Sequence, residues 1–493
     1  MVLACLVALA FVLPGLVPLA RAAEPVAPWM LAPWLNPAPR LAEAGVTPGE
    51  LAQAIGRRLV ILPQAPRDIV IPGSHGPRSF RQARFVSAAA VVDLPADTAR
   101  RRLQDFSGYR NLFPLLPESE VVAMDGPNLL ARYRLEIPLP ATATFTVDFR
   151  VKQTLEADGS ISALLVDGKA ESLIAMLGGM TDNLADQPVV ARWEFLPLNP
   201  RQSLVVFTYW DRIELKSFFA RKFMEAYPEL KVAGPYMAAL MAAEAIHRNF
   251  IRTVPRVAAR QPQGLQSLAP LRGLIERFSR HGHVAVLEPD LVPEPGAKPL
   301  PLRYVTVATR VAAPPAATQS WATRYHRLPE AIKELREVGV RDRGREIDLD
   351  LGIHFGVLLI RFSMDLQLRN TWVTPYRLEF ARTAGDMAQL RGASEWHALP
   401  DSAGTLMLVS AGHEVGEEAP FLLRMAHKLV DRLPYVDQLG SLAAQLVVME
   451  RLKPWIERQV AADRKPASAD NNDKPAARVP AADRSQQKEY VNE

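Results

Sequence analysis

One order of segments runs twice through this chain, about two hundred residues apart, and repetition on that scale calls for two similar folded units. LAQAIGRRLVILP (51–63) is a short amphipathic helix pattern running into an apolar strand pattern, and LRGLIERFSRHGHVAVLEP (271–289) repeats it. RFVSAAAVVDLPADTARRRL (84–103) and RYVTVATRVAAPPAATQSWA (303–322) are each an alternating strand, a proline corner and a helix. RWEFLP (192–197) returns as EWHALP (395–400). YPELKVAGPYMAALMAAEAIHR (227–248) returns as LPYVDQLGSLAAQLVVMERLKP (433–454), which sets Gly234 against Gly440 and Glu244 against Glu450.

Between the corner and the last helix of each pass lie period-two segments. LLARYRLEIPL, TFTVDFRVKQTLEA, SISALLVDG, VVARWEFLPL and QSLVVFTYWDRI in the first pass match REIDLDLGIHFG, LLIRFSMDLQLRNTW, PYRLEFAR, AQLRGASEWHALP and GTLMLVSAGHEV in the second. Such alternation predicts antiparallel sheets with one buried and one wet face, and hence an α+β architecture with helices on one side. The 42 prolines favour corners and strand ends over long helices. The expected divisions are a signal peptide over 1–22, a Pro-rich linker over 23–47 lying on the folded body, and a first domain over 48–252. A linker over 253–265, a second domain over 266–460 and a disordered polar tail over 461–493 complete the chain.

The leader MVLACLVALAFVLPGLVPLARAAEP is apolar, short for a spanning helix, and carries small residues before a cut after Ala22. No Lys or Arg precedes it, so a later-than-true start or an uncleaved membrane anchor stand as alternatives. The expected location is outside the cytoplasm, in the periplasm. Cys5 is the only cysteine, so a chain cut after Ala22 holds no disulfide and no thiolate. The net charge of +5 is spread among mixed charges, which argues against a nucleic-acid partner.

The corners and stops resemble those of the START-like (SRPBCC) superfamily, and more narrowly its polyketide cyclase/coenzyme Q-binding group. The residues that carry this are Leu94-Pro95-Ala96-Asp97, Tyr109-Arg110-Asn111-Leu112-Phe113-Pro114 and Ala191-Arg192-Trp193-Glu194-Phe195-Leu196-Pro197, with Ala313-Pro314-Pro315-Ala316 and Tyr325-His326-Arg327-Leu328-Pro329 in the second pass. The resemblance spans most of 80–250 and 300–458 and implies two tandem helix-grip domains. In each, a curved sheet would wrap a long C-terminal helix around an apolar cavity.

The segment 235–246 is apolar nearly all round and rich in Ala and Met, which suits either a cavity wall or plain core. Tyr236, Met237, Leu240 and Met241 are its expected lining residues, with Tyr133, Phe149, Trp193 and Tyr209 from the strands. Leu442, Leu446 and Met449 take the same part in the second pass, where bulkier side chains predict a smaller or filled cavity. Met176, Leu177, Gly178, Gly179 and Met180 fall between strands in a segment too apolar for an ordinary loop. It reads as a gate over the cavity mouth, a contact with a membrane surface, or a buried cap.

Glu244 would meet ligand only if it faced the cavity. Arg248 four residues on, and Lys453 three after Glu450, favour surface ion pairs instead. His281-Gly282-His283 has no metal-ligand neighbours and reads as a loop, and no cofactor or metal is expected. The leading expectation is a non-catalytic carrier of a lipid, isoprenoid or other hydrophobic small molecule. A cyclase-like enzyme is the rival; it needs convergent polar groups, for which Tyr133, Arg192, Tyr209 and Glu244 are the nominees. An interaction scaffold with filled cores is the third reading. Oligomeric state is not legible.

Overall fold

The computed structural model describes residues 26–32, 38–138, 144–171, 182–183, 187–212, 222, 224–251, 261–289, 302–357, 360–400, 404–420, 424 and 435–464. The expected leader (1–22), the gate residues Met176 to Met180 and residues 465–493 of the tail lie outside the described residues.

The first half opens with helix α1 (Pro48–Ile55), whose N-cap Thr47 accepts from the Glu50 amide in a capping box, with Pro48 opening the first turn. Strands β1 (Leu59–Pro63), β2 (Arg67–Ile71), β3 (Arg78–Ala83) and β4 (Val86–Val92) follow, then α2 (Ala96–Leu103). Next come β5 (Glu118–Asp125), β6 (Asn128–Pro138), β7 (Thr144–Leu155), β8 (Ile161–Glu171), β9 (Asp182–Asn183), β10 (Val189–Asn199), β11 (Gln202–Asp211) and α3 (Leu230–Phe250). The second half repeats this order with α4 (Arg272–Phe278), β12 (Val284–Leu287), β13 (Val305–Val311) and α5 (Pro315–Ala322). It ends with β14 (Leu335–Asp342), β15 (Glu346–Val357), β16 (Ile360–Thr374), β17 (Arg377–Gly385), β18 (Met387–Ala398), β19 (Thr405–Val415) and α6 (Val436–Arg464).

Strand pairing joins the halves into one antiparallel sheet. Its order is β5-β6-β7-β8-β10-β11-β4-β1-β12-β13-β19-β18-β17-β16-β15-β14, with β9 beside β8. The order reads the same from both ends, so a pseudo-two-fold runs between β1 and β12, where Val60 faces Val286. The hairpin β2–β3 stands apart.

The central strands correct the expectation of one wet face. Along β4, Val86, Ala88, Ala90 and Val92 enter one core, while Ala89 and Val91 enter a second on the opposite face. On β1, Leu59 and Ile61 take the first core and Val60 and Leu62 the second. Both faces are dry because α3 and α6 pack on one side, while Leu51 and Ile55 of α1 and Ile275 and Phe278 of α4 cover the other. Alternation survives there, but it sorts residues between two cores instead of between core and water. Farther out the expected pattern returns: Ala131 and Tyr133 of β6 are buried, while Arg132 makes ion pairs with Glu120 and Asp148.

At the first corner Pro95 precedes α2, and the corner is tied to the end of α3 by a hydrogen bond from the Asp93 amide to the Phe250 carbonyl (3.0 Å). Of the three successive arginines, Arg101 and Arg102 are exposed and Arg100 pairs with Asp97. Two boundaries move. Helix α6 extends to Arg464, four residues into the expected tail, and Leu265 at the end of the expected linker is buried, its amide donating to Glu395 (2.8 Å).

The segment before α1 lies on the outer face of the first half. Met30 packs with Leu130 and Val166, and the Leu41 amide donates to Glu194 (2.9 Å). Beneath it the ammonium of Lys152 donates to the Ala32 carbonyl, and burial lowers its pKa to about 8 against a smaller opposing pull from Glu156. Because the folded chain holds this proton less tightly than the unfolded chain, stability from this group should rise between about pH 8 and the unfolded lysine value near 10.4. Urea midpoints across that range should therefore climb less in Lys152→Met than in the parent. Parallel curves for the two proteins would refute this.

Candidate functional site

The inner face of the first half's sheet is aromatic. Tyr133 of β6 stacks on Phe149 of β7 (centroids 5.5 Å, 27° between planes), and Trp193 of β10 lies 4.3 Å from Phe207 of β11, which in turn neighbours Tyr209. These residues alternate inward along paired strands: Tyr133 is in register with Phe149, and Trp193 with Phe207. From the corner side Tyr109 joins them 5.5 Å from Tyr133, with Phe106 stacked on it at 5.2 Å. Met237 and Leu240 of α3 close the cluster, with the partly buried Met241 against it.

Within this apolar lining sits a short polar chain. Gln153 Nε2 donates to the Tyr133 hydroxyl (2.7 Å), and the ring of Tyr109 lies beside that of Tyr133. Burial pushes the Tyr109 phenol up to about 12 against a smaller opposing pull from Tyr133 and Gln153, and burial, then Tyr109, raises Tyr133 well above its ordinary value. Tyr209 is raised as well, by burial and then by Asp211. All stay protonated at neutral pH, so they can orient a ligand oxygen or nitrogen but offer no base.

The other nominees go elsewhere. Arg192 alternates with Trp193 and so leaves the interior, bonding Ser160 (3.0 Å) on the outer face. Glu244 is fully buried, which corrects the surface pairing with Arg248. Arg303 from the second half holds both its oxygens, Nη1 to Oε1 at 2.5 Å and Nη2 to Oε2 at 3.0 Å. Burial alone would raise the Glu244 carboxyl, but the arginine's charge and hydrogen bonds outweigh it and hold the carboxyl below its usual range. The hydroxyl of Tyr236 donates to the His283 carbonyl (2.6 Å), again across the halves. His283 in turn bonds Glu450 (2.7 Å), so the expected loop histidine is a buried structural link.

In the second half Ile347, Leu349, Leu366 and Leu368 share one core with Leu442, Leu446 and Met449 of α6 and with Trp321, Trp396 and Trp455, and the hydroxyl of Tyr325 accepts from Asn370 (3.3 Å). Sequence reasoning took Tyr109 only as part of a stop and missed Gln153. The only signal for Gln153 was that it shares the parity of Phe149 on β7, whereas Tyr109, in the short helix Tyr109–Leu112, had none.

A cleft of about 360 Å³ opens beside the aromatic cluster, lined by Phe106, Ser107, Arg110, Pro117, Glu118, Ser119, Glu120, Arg132, Tyr133 and Arg134. Among the described residues no metal-ligating trio converges and no helix is long and apolar enough to cross a membrane.

No family model and no curated protein matches this chain. Among solved structures it is similar to the di-domain ARO/CYC protein StfQ from the steffimycin biosynthetic pathway (9% identity, 76% of this chain and 99% of that one, TM-score 0.23). BexL, the di-domain ARO/CYC protein from the BE-7585A biosynthetic pathway, gives 12% identity, 76% and 98% coverage and a TM-score of 0.25. A START superfamily protein from Mycobacterium smegmatis gives 19%, 34% and 96%, and 0.24. Superpositions this loose carry no argument about what the chain does. The fold is read from the chain itself: strand, proline corner, helix, antiparallel strands and a long final helix, an order laid down twice in tandem.

Proposed function

We propose that this chain is an exported, non-catalytic carrier that holds a lipid, isoprenoid or other hydrophobic small molecule inside its first half. On this reading 48–252 and 266–460 are helix-grip domains, the leader over 1–22 is removed, and the first domain is the binding one. The observation that carries it is the aromatic inner face with the hydrogen-bonded Tyr133 hydroxyl and Gln153 amide, and the Tyr109 phenol beside them, set in it. Apolar burial supplies affinity at about 25 cal/mol per Å², and a few polar groups fix orientation. The second half supports the first by sharing its sheet and core.

The rival enzyme reading loses two of its nominees, because Arg192 faces outward and the Glu244 carboxylate is taken by Arg303. The test is solvent extraction of purified full-length protein followed by mass spectrometry. A defined apolar compound is expected from the parent and none from Met241→Asp, whose charge would sit against the cluster. Parent protein that yields no apolar compound and binds no lipophilic dye would sink the proposal.

A further inference from the structure

The cleft beside the aromatic cluster has a composition that the carrier reading leaves unexplained. Its inner wall is Phe106 and Tyr133, both members of the ring cluster, while its rim carries Arg110, Arg132 and Arg134 against Glu118 and Glu120. Asp148 and Glu136, outside the lining, pair with Arg132 and Arg134, so Arg110 is the rim cation with no acidic partner among the described residues.

The arginines are not equivalent. Arg132 is shared between Glu120 (3.4 Å) and Asp148 (3.5 Å), both long contacts, and Arg134 bonds Glu136 through Nε (3.1 Å), which leaves its terminal nitrogens unengaged by that bond. Arg110, on the exposed side of the turn that buries Tyr109, has no ionic partner among the described residues. Ser107 and Ser119 line the same rim with their hydroxyl protons already donated, to Asp105 and to the Phe106 carbonyl, so the donors left for a ligand are the guanidiniums. A guanidinium with free donors at the edge of a partly desolvated, aromatic-backed cleft suits a planar or tetrahedral oxyanion better than a neutral polar group.

We propose that this cleft seats the acidic end group, carboxylate or phosphate, of an amphiphilic ligand whose apolar portion lies against the Phe106–Tyr133 wall and the aromatic interior behind it. The inference rests on the carrier reading and names the ligand class within it. Arg110 is the specificity-determining cation. Arg132 and Arg134 hold the rim's charge while remaining tied to the sheet, so the site stays folded when empty.

The experiment titrates full-length protein with a dansyl-tagged long-chain carboxylic acid and with its methyl ester, which differ only in charge. The parent is expected to bind the acid about 10-fold more tightly than the ester, as one charge-assisted hydrogen-bonded pair implies. Arg110→Gln should remove that preference by weakening the acid alone, and Arg110→Lys should restore part of it. Arg101→Gln, exposed on α2 outside the cleft, should leave both affinities unchanged. Displacement of the acid probe by a long-chain alkyl phosphate or by a long-chain carboxylic acid then distinguishes the two sources of the anion. Equal binding of acid and ester by the parent, or an acid preference that survives in Arg110→Gln, overturns the inference while leaving the carrier reading standing. Binding of neither probe overturns both.

Discussion

Arg303→Met is expected to destabilise the folded chain by about 3–5 kcal/mol, because it leaves the Glu244 carboxylate buried without its partner. Glu244 is fully buried, and both its oxygens are held by an arginine 59 residues away that also donates to the Glu288 carbonyl (2.6 Å). Replacing both partners, as Glu244→Leu with Arg303→Met, should recover most of the loss, since a buried ion pair contributes little over well-packed apolar groups. The pH dependence has a definite sign. The folded Glu244 carboxyl titrates below the ordinary value of 4.5, so its contribution is complete above that pH and is lost as pH falls through the folded value. In Arg303→Met burial acts without the arginine and drives the carboxyl upward, so the variant should lose less stability than the parent on acidification. Urea denaturation followed by circular dichroism at neutral and acidic pH measures both effects. A single variant as stable as the parent would show that the carboxylate finds other compensation.

Ile61→Ala is expected to cost about 2–5 kcal/mol and to lower the stability of both halves together. Ile61 is fully buried at the centre of the sheet, in register with Ala88 on β4 and with Ala285 on β12 of the other half. One core runs from Tyr133 and Trp193 through Ile61 and Val305 to Leu442, with no break at the boundary between the repeats. Arg451 of α6 adds a further tie, bonding Glu229 before α3 (2.7 Å) and Glu334. Hydrogen exchange resolves the halves: amides of β10–β11 and of β18–β19 should lose protection at the same urea concentration, in parent and variant alike. Two separate transitions would mean that the repeats fold independently and that the seam is a weak contact.

The seam makes each half depend on the other. Here the second half completes the sheet, supplies Arg303 to Glu244 and His283 to Tyr236, and builds its own core from aliphatic side chains together with Trp321, Trp396 and Trp455. The first half is thereby left with an inner face on which Tyr109, Tyr133 and Gln153 can be polar without the unit losing its hold.

Legibility followed the range of the interactions. The strand-to-corner-to-helix units and the long α3 and α6 were readable because their periodicity and proline stops act over a few residues. Strands β5 and β14 were not anticipated. Each lies at an end of the sheet with most side chains exposed, so ESEVVAMD and LREVGVRD carry no core-facing alternation. Tyr133 was legible as an inward residue of an alternating strand, whereas Tyr109 and Gln153 were not, since their meeting depends on how the corner folds over β6 and β7. Glu244 shows the limit most clearly. Its spacing from Arg248 pointed to a surface pair, and nothing local signalled an arginine from the other repeat.

The sequence by itself therefore determined that an α+β unit is present, that it is present twice, and where each copy turns from strand to helix, because those properties are set by neighbours along the chain. Only the tertiary structure decided that the copies share one sheet and one core, that Glu244 and His283 belong to their seam, and that the polar chain faces the first interior. Those outcomes depend on desolvation and register between distant segments, and burial is a property that no short stretch of residues possesses alone.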